Sequence, residues 1–177
     1  MFAAATAIER HITKDESKPL GVSVHWLKYG FLETEVMKAT DLDLDASSRI
    51  YEIEDLSSDV HGIVRRKGSN RLCPNGGQLG ASYVDCLDGE DNVGASTIML
   101  SYGWGNSIGD IVDALLDYCD RFNANPKRTY VWICCLCNNQ HRVAQRKKDR
   151  EEIPFEEFSS IFRERVTKIS KVVAIIW

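Results

Sequence analysis

Residues 97–141 read TIMLSYGWGNSIGDIVDALLDYCDRFNANPKRTYVWICCLCNNQH. They hold an apolar run, a glycine-bearing turn, an amphipathic stretch and a second apolar run. Strand, helix and strand in that order make a βαβ unit. Such a unit commits a chain to a parallel sheet and puts any ligand where the first strand turns into the helix. Thr97–Tyr102 is the first predicted strand. Ser107 stands three residues before Asp110 in a capping-box arrangement that starts the helix. Ile108, Ile111, Val112, Leu115, Leu116, Cys119 and Phe122 form its apolar stripe, while Asp110, Asp113, Asp117 and Asp120 face away. Asn125-Pro126 ends it. Thr129–Cys135 is apolar, β-branched and aromatic throughout, which predicts a strand covered on both faces.

Further along, His141–Arg150 reads as a basic loop, and Pro154 opens a second helix. Its stripe is Phe155, Phe158, Ile161, Phe162, Val166 and Ile169, with Glu156 and Glu157 in the first turn and Arg163, Arg165 and Lys168 near the end. Lys171–Trp177 is a third predicted strand. Residues 96–177 are therefore expected to form an α/β core, a partial β-α-β-α-β doubly wound parallel sheet. Ending on a bare apolar strand points to a fragment of a longer domain or to a sheet completed by the N-terminal region, and a fragment is the expectation here.

Residues 1–95 read as an irregular α+β extension packed on that core. Val22–Met37 has apolar residues near helical spacing, at Trp26, Tyr29 or Gly30, Leu32 and Val36. Ile50–Ile53 suits a short strand or helix. Ala81–Cys86 suits a short strand between two turns, CPNGG at Cys73–Gly77 and Asp88-Gly89.

The net charge of −4 provides no global basic field for nucleic acid or an anionic membrane. Charge is uneven: residues 1–60 hold 12 acids against 6 bases, and residues 61–177 hold 14 against 16. Apolar stretches such as Val172–Trp177 are too short to span a bilayer, and MFAAATAIER lacks the basic start of a signal peptide. Six cysteines raise the question of disulfides. Cys134, Cys135 and Cys137 crowd into or just past one predicted strand, where bridges are hard to build, so free thiols in a reducing cytoplasm are expected.

The strand and turn Met99-Leu100-Ser101-Tyr102-Gly103-Trp104 resembles the opening of a TIR (Toll/interleukin-1 receptor) domain, and Tyr130-Val131-Trp132-Ile133 resembles its second strand. Met99–Gly105, Thr129–His141 and Pro154–Phe158 together are similar to uncharacterised TIR-like proteins of diatoms and dinoflagellates, over a span from about Val24 to the end of the chain. VWICCLCNNQ also resembles the strand of the fungal heterokaryon-incompatibility domain. The resemblance implies a flavodoxin-like fold, with Leu136–Arg150 as the BB loop through which TIR domains self-associate. It implies an intracellular signalling and interaction module, an NAD⁺ glycohydrolase or cyclase, or a nucleotide-binding sensor domain. TIR enzymes carry their catalytic glutamate in a W-C-x-x-E-like motif on the helix after the third strand. This chain reaches Trp177 before such a helix, so no catalytic residue is expected within it. A further departure is Cys134, where many relatives have Asp.

Five groups are candidate sites. Ser101, Tyr102, Gly103, Trp104, Gly105 and Asn106 lie where backbone amides and the helix start can cradle a phosphate of NAD⁺ or another nucleotide; the alternative is a tight turn with Trp104 packed in the core. Cys134, Cys135, Cys137 and His141 invite zinc, but neighbours on a strand point to opposite faces, so structural thiols are expected, with Cys137 at the strand end the reactive one. Arg142, Arg146, Lys147, Lys148 and Arg150 suit nucleotide phosphates, an acidic partner surface or open solvent. Asp41, Asp43, Asp45 and Glu52 fall at positions 1, 3, 5 and 12 of a calcium-loop register, but Ala46 stands where glycine is needed. His11, His25 and His61 have no partner visible in the sequence, and no catalytic triad, Walker motif or complete dinucleotide fingerprint is present. No metal or required cofactor is expected.

Overall fold

The computed structural model describes residues 18–175 except 57, 59, 60 and 150–154, together with the side chains of those residues other than 155, 157 and 158. The expectations for the N-terminal decapeptide, His11, Arg150, Pro154, the last two residues and the side chains of Phe155, Glu157 and Phe158 lie outside the described residues.

The described residues form a mixed α/β fold on a five-stranded open sheet. Strand β1 (Leu20–Ser23) leads into α1 (Val24–Trp26), and the helix continues as a π-helix over Leu27–Val36. Helices α2 (Ile50–Ile53) and α3 (Ile63–Gly68) follow, then β2 (Val93–Ala95) and β3 (Ile98–Ser101). Next come α4 (Ile108–Arg121), β4 (Tyr130–Trp132), α5 (Cys134–Cys137), α6 (Gln140–Lys148), α7 (Phe155–Ile169) and β5 (Val172–Ala174).

The sheet order is β2-β1-β4-β3-β5. Strand β3 pairs in parallel with β4 (Ile98 opposite Val131) and with β5 (Leu100 opposite Val173). Strand β1 pairs antiparallel with both β4 and β2, so it alone runs against the other four. The N-terminal region thus extends the sheet beyond β4.

Successive residues of a strand point to opposite faces, and here both faces are covered. Ile98, Leu100, Val131 and Ile133 join the main core with Leu27, Phe31 and Val36 of the π-helix and Ile108, Ile111, Val112, Leu115 and Cys119 of α4. Met99 and Trp132 meet Ile169 of α7 on the other face. The α4 stripe follows its predicted spacing, with all four opposing aspartates exposed. Phe122 departs from it: it sits past the helix end, 68% exposed, against the Tyr118 ring.

Other expectations need correction. Ala81–Cys86 is no strand but ends in a 3₁₀ turn at Val84–Cys86, because the Cys86 and Leu87 amides close on the Tyr83 and Val84 carbonyls. In the first helix the expected Leu32 and Val36 are buried, and of the alternatives Tyr29 and Gly30 it is Gly30 that is buried, with Phe31 added to the core. The indole of Trp26 lies over Gly30, where a Cβ would come within 2.4 Å of the ring. Residues Leu27, Phe31 or Leu32, and Val36 repeat at four and five, as the wider i→i+5 turn requires. On α7 the stripe residues Ile161 and Phe162 are exposed and only Ile169 is fully buried among those described, because the sheet face it covers is narrow.

Candidate functional site

The turn after β3 is tied to its surroundings at nearly every residue. The Ser101 carbonyl accepts from the Ile175 amide at 3.0 Å. The Tyr102 hydroxyl lies 3.2 Å from Cys134 Sγ and accepts the Cys135 amide at 3.3 Å. Burial pushes that phenol well above its ordinary pKa, with the neighbouring thiols adding to the effect. The Gly103 amide donates to Asn106 Oδ1 at 2.7 Å, and the Trp104 and Asn106 carbonyls accept the Tyr51 and Ile50 amides. Neither Gly103 nor Gly105 has a positive φ, and a Cβ at Gly105 would meet nothing within 4 Å.

The start of α4 is also occupied. A helix leaves its first amides without intrahelical acceptors, and these are what a phosphate would use. Here the Ile108 amide donates to the Ser48 carbonyl at 3.0 Å and the Gly109 amide to the Ala46 carbonyl at 2.8 Å. Asp110 donates to the Ser107 hydroxyl at 3.1 Å. The acidic N-terminal turn therefore sits on the helix end. Its own acids are dispersed: Asp41 pairs with Arg66 at 2.7 Å, Asp45 accepts from Ser47, which lowers its pKa, and Glu52 accepts the Arg49 amide at 2.6 Å. Among the described residues no three potential ligands converge on a metal position.

The cysteine segment differs from expectation. Strand β4 ends at Trp132, and Cys134–Cys137 wind into a helical turn, with the Leu136 and Cys137 amides bonded to the Ile133 carbonyl. Cys134 and Cys135 are therefore not on opposite faces of a strand. Cys137 accepts the Ile133 amide, and burial pushes its thiol up to about 12. A thiol so rarely ionised is a poor nucleophile, which corrects the expectation of a reactive Cys137. All six cysteines are free.

The expected BB loop is also helical. Asn139 caps α6 by accepting the His141 and Arg142 amides at 3.1 and 3.2 Å, and its side-chain amide donates to the Gly80 carbonyl at 2.7 Å. Buried Gln140 donates to the Cys134 carbonyl at 2.9 Å. The sequence signal was available: Asn before nine residues free of Gly and Pro is a helix start. His141 Nε2–H donates to the Arg65 carbonyl at 2.9 Å, and Arg142 Nη2 donates to the Leu79 carbonyl at 3.0 Å. Gly80, at φ +91°, packs so closely that a Cβ would lie 2.9 Å from His141 Cγ. Asn139 through Arg142 thus anchor α6 to the N-terminal region.

A cleft of about 550 Å³ lies between α3 and α6. His61, Arg65, His141, Arg142, Lys147 and Lys148 line it, and the His61 and His141 rings meet edge-on at 5.4 Å. Beneath it is a buried ion pair: Glu54 is fully buried and Arg65 is 5% exposed. Arg65 Nε and its backbone amide both donate to the Glu54 carboxylate, and Nη2 donates to the Asp55 carbonyl at 2.6 Å. Desolvation lowers the His141 pKa, with the charges on His61 and Arg65 acting in the same direction. Neither Glu54 nor Arg65 carries a motif, so their pairing across eleven positions had no local signature.

Compared with protein-family models, curated proteins and solved structures, the chain matches none of them.

Proposed function

We propose that this chain is an intracellular, TIR-like signalling module of flavodoxin-like fold that works by association rather than catalysis, through the segment Leu136–Arg150. The order β4-β3-β5 supports the fold assignment, since second, first and third is how the flavodoxin-like strand order begins. The observation that carries the function is charge complementarity between two helices of the same chain. On α6 only Gln140 is fully buried, and Lys147 and Lys148 are exposed. On α4, Asp110, Asp113, Asp117 and Asp120 are exposed along one face. A basic α6 meeting an acidic α4 of a second copy is a head-to-tail contact, which builds chains of molecules rather than closed pairs. Among the described residues no helix is long and apolar enough to cross a membrane.

The alternative, an NAD⁺-cleaving TIR enzyme with its pocket at Ser101–Asn106, draws less support. The α4 amides such a pocket needs already hold Ser48 and Ala46, and its glutamate would have to come from beyond Trp177.

Sedimentation velocity over a concentration series tests the proposal. The wild-type chain should grow in mass with concentration at low salt. Lys147→Glu and Asp113→Lys should each stay monomeric, and mixing the two should restore a heterodimer. A wild-type chain that remains monomeric at all concentrations would overturn it.

A further inference from the structure

The cleft between α3 and α6 shares Lys147 and Lys148 with the proposed association surface, and adds Arg142 and a concave volume that head-to-tail association does not use. Its volume, about 550 Å³, is in the range of small-molecule sites. Basic side chains meet in it from both walls, His61 and Arg65 on one side and His141, Arg142, Lys147 and Lys148 on the other. No described lining residue is acidic, and Glu54 beneath is committed to Arg65. Arg65 is neutralised by Glu54, and the charges of Arg142 and Lys147 on the facing wall favour an anion in the cleft. A phosphoryl group, with several charged oxygens, accepts from such a set at once.

The wall is held in place before any ligand arrives. Asn139 caps α6, the Arg65 carbonyl fixes His141 through Nε2, and the Leu79 carbonyl fixes Arg142 through one Nη2 hydrogen. That leaves the Nε and Nη1 groups of Arg142 as donors for a ligand, while the neutral His141 ring presents only an acceptor at Nδ1. Lys147 stands exposed on the same helix. Leu56, Leu79 and Ala144 add apolar surface to the lining. Donors fixed beforehand lower the ordering cost of binding.

We infer that this cleft binds a phosphorylated small molecule, with its phosphoryl group at Arg142 and Lys147 and its uncharged body against Leu56, Leu79 and Ala144. The site is distinct from the turn Ser101–Asn106, and it depends on the N-terminal region for one of its walls.

The test is isothermal titration with AMP, pyrophosphate and adenosine. It is run on Asp113→Lys, a substitution on α4 outside the cleft that also removes the proposed association, so failure of that association cannot mimic failure of binding. AMP or pyrophosphate should bind, adenosine should not, and added salt should weaken the binding. Lys147→Gln and Arg142→Gln should each weaken it about tenfold or more, as loss of a charge-assisted hydrogen bond does. Arg142 also holds Leu79, so a thermal melt accompanies that variant; Lys147 is exposed and tests the site with the fold intact. Absence of binding by both AMP and pyrophosphate, equal binding of adenosine, or unchanged affinity in Lys147→Gln would each overturn the inference.

Discussion

The backbone amide of Gly109, in the first turn of α4, donates to the carbonyl of Ala46 at 2.8 Å, and no side chain fits between them. A Cβ at position 109 would lie 2.7 Å from that carbonyl oxygen. In an exposed helix, alanine is favoured over glycine by ~1 kcal/mol. Here the clash opposes that gain and prevails, because overpacking against backbone costs about 1–3 kcal/mol. Gly109→Ala should therefore melt lower than the parent and become more sensitive to proteolysis within residues 41–50. A melt equal to or above the parent's would remove residues 45–50 from the helix end.

The buried Glu54–Arg65 pair makes a second prediction. Removing one partner leaves an uncompensated charge in the interior, at a cost of about 3–5 kcal/mol. Arg65→Met should lose stability on that scale in urea, whereas Glu54→Met combined with Arg65→Met should recover much of it. If the single variant is as stable as the parent, Glu54 is not held in the interior as described.

Cys137 should be chemically quiet. With its thiol raised to about 12, almost none is ionised at neutral pH. Maleimide labelling followed by mass spectrometry should find Cys137 unmodified in the native chain and labelled after denaturation. Rapid native labelling there would contradict the packing of the helical turn around Ile133.

His141 gives the pH dependence a sign. Desolvation, followed by the charges of His61 and Arg65, lowers its pKa from the ordinary 6.5, despite the opposing bond to the Arg65 carbonyl. The folded state thus favours the neutral ring, and its contribution is fully present above 6.5 and lost as pH falls through the lower folded value. The side chain is partly exposed, so solvent screening keeps the effect small. Thermal melts between about pH 7.5 and about 5 should fall more steeply for the parent than for His141→Gln. Parallel slopes would mean that the imidazole is not desolvated.

Sequence by itself determined the parts whose signals are local. The run at Ile98–Ser101, the Ser107 cap, the stripe from Ile108 to Cys119 and the run at Tyr130–Trp132 each state their structure in a few residues, because capping and periodic burial act over one or two turns. Strand β5 and the presence of the helix before it were legible too, although the burial of that helix departs from its predicted stripe at Ile161 and Phe162. The candidate turn Ser101–Asn106 was also legible, as a place in a βαβ unit.

Tertiary structure decided what depends on distant partners. The pairing of β1 with β4 and β2 joins residues roughly 70 to 110 positions apart, and nothing in Leu20–Ser23 says where its neighbours lie. The end of β4 at Trp132, two residues before Cys134, follows the Tyr102 hydroxyl and the Ile133 carbonyl, so an apolar run that reads as one strand bends into a helical turn. The occupied start of α4 depends on carbonyls more than fifty residues upstream. The basic cleft needs α3 set against α6, a placement held by Asn139 on Gly80 and His141 on Arg65. Hydrogen bonds and burial between remote segments satisfy groups that local sequence leaves open, and only the folded chain brings those segments together.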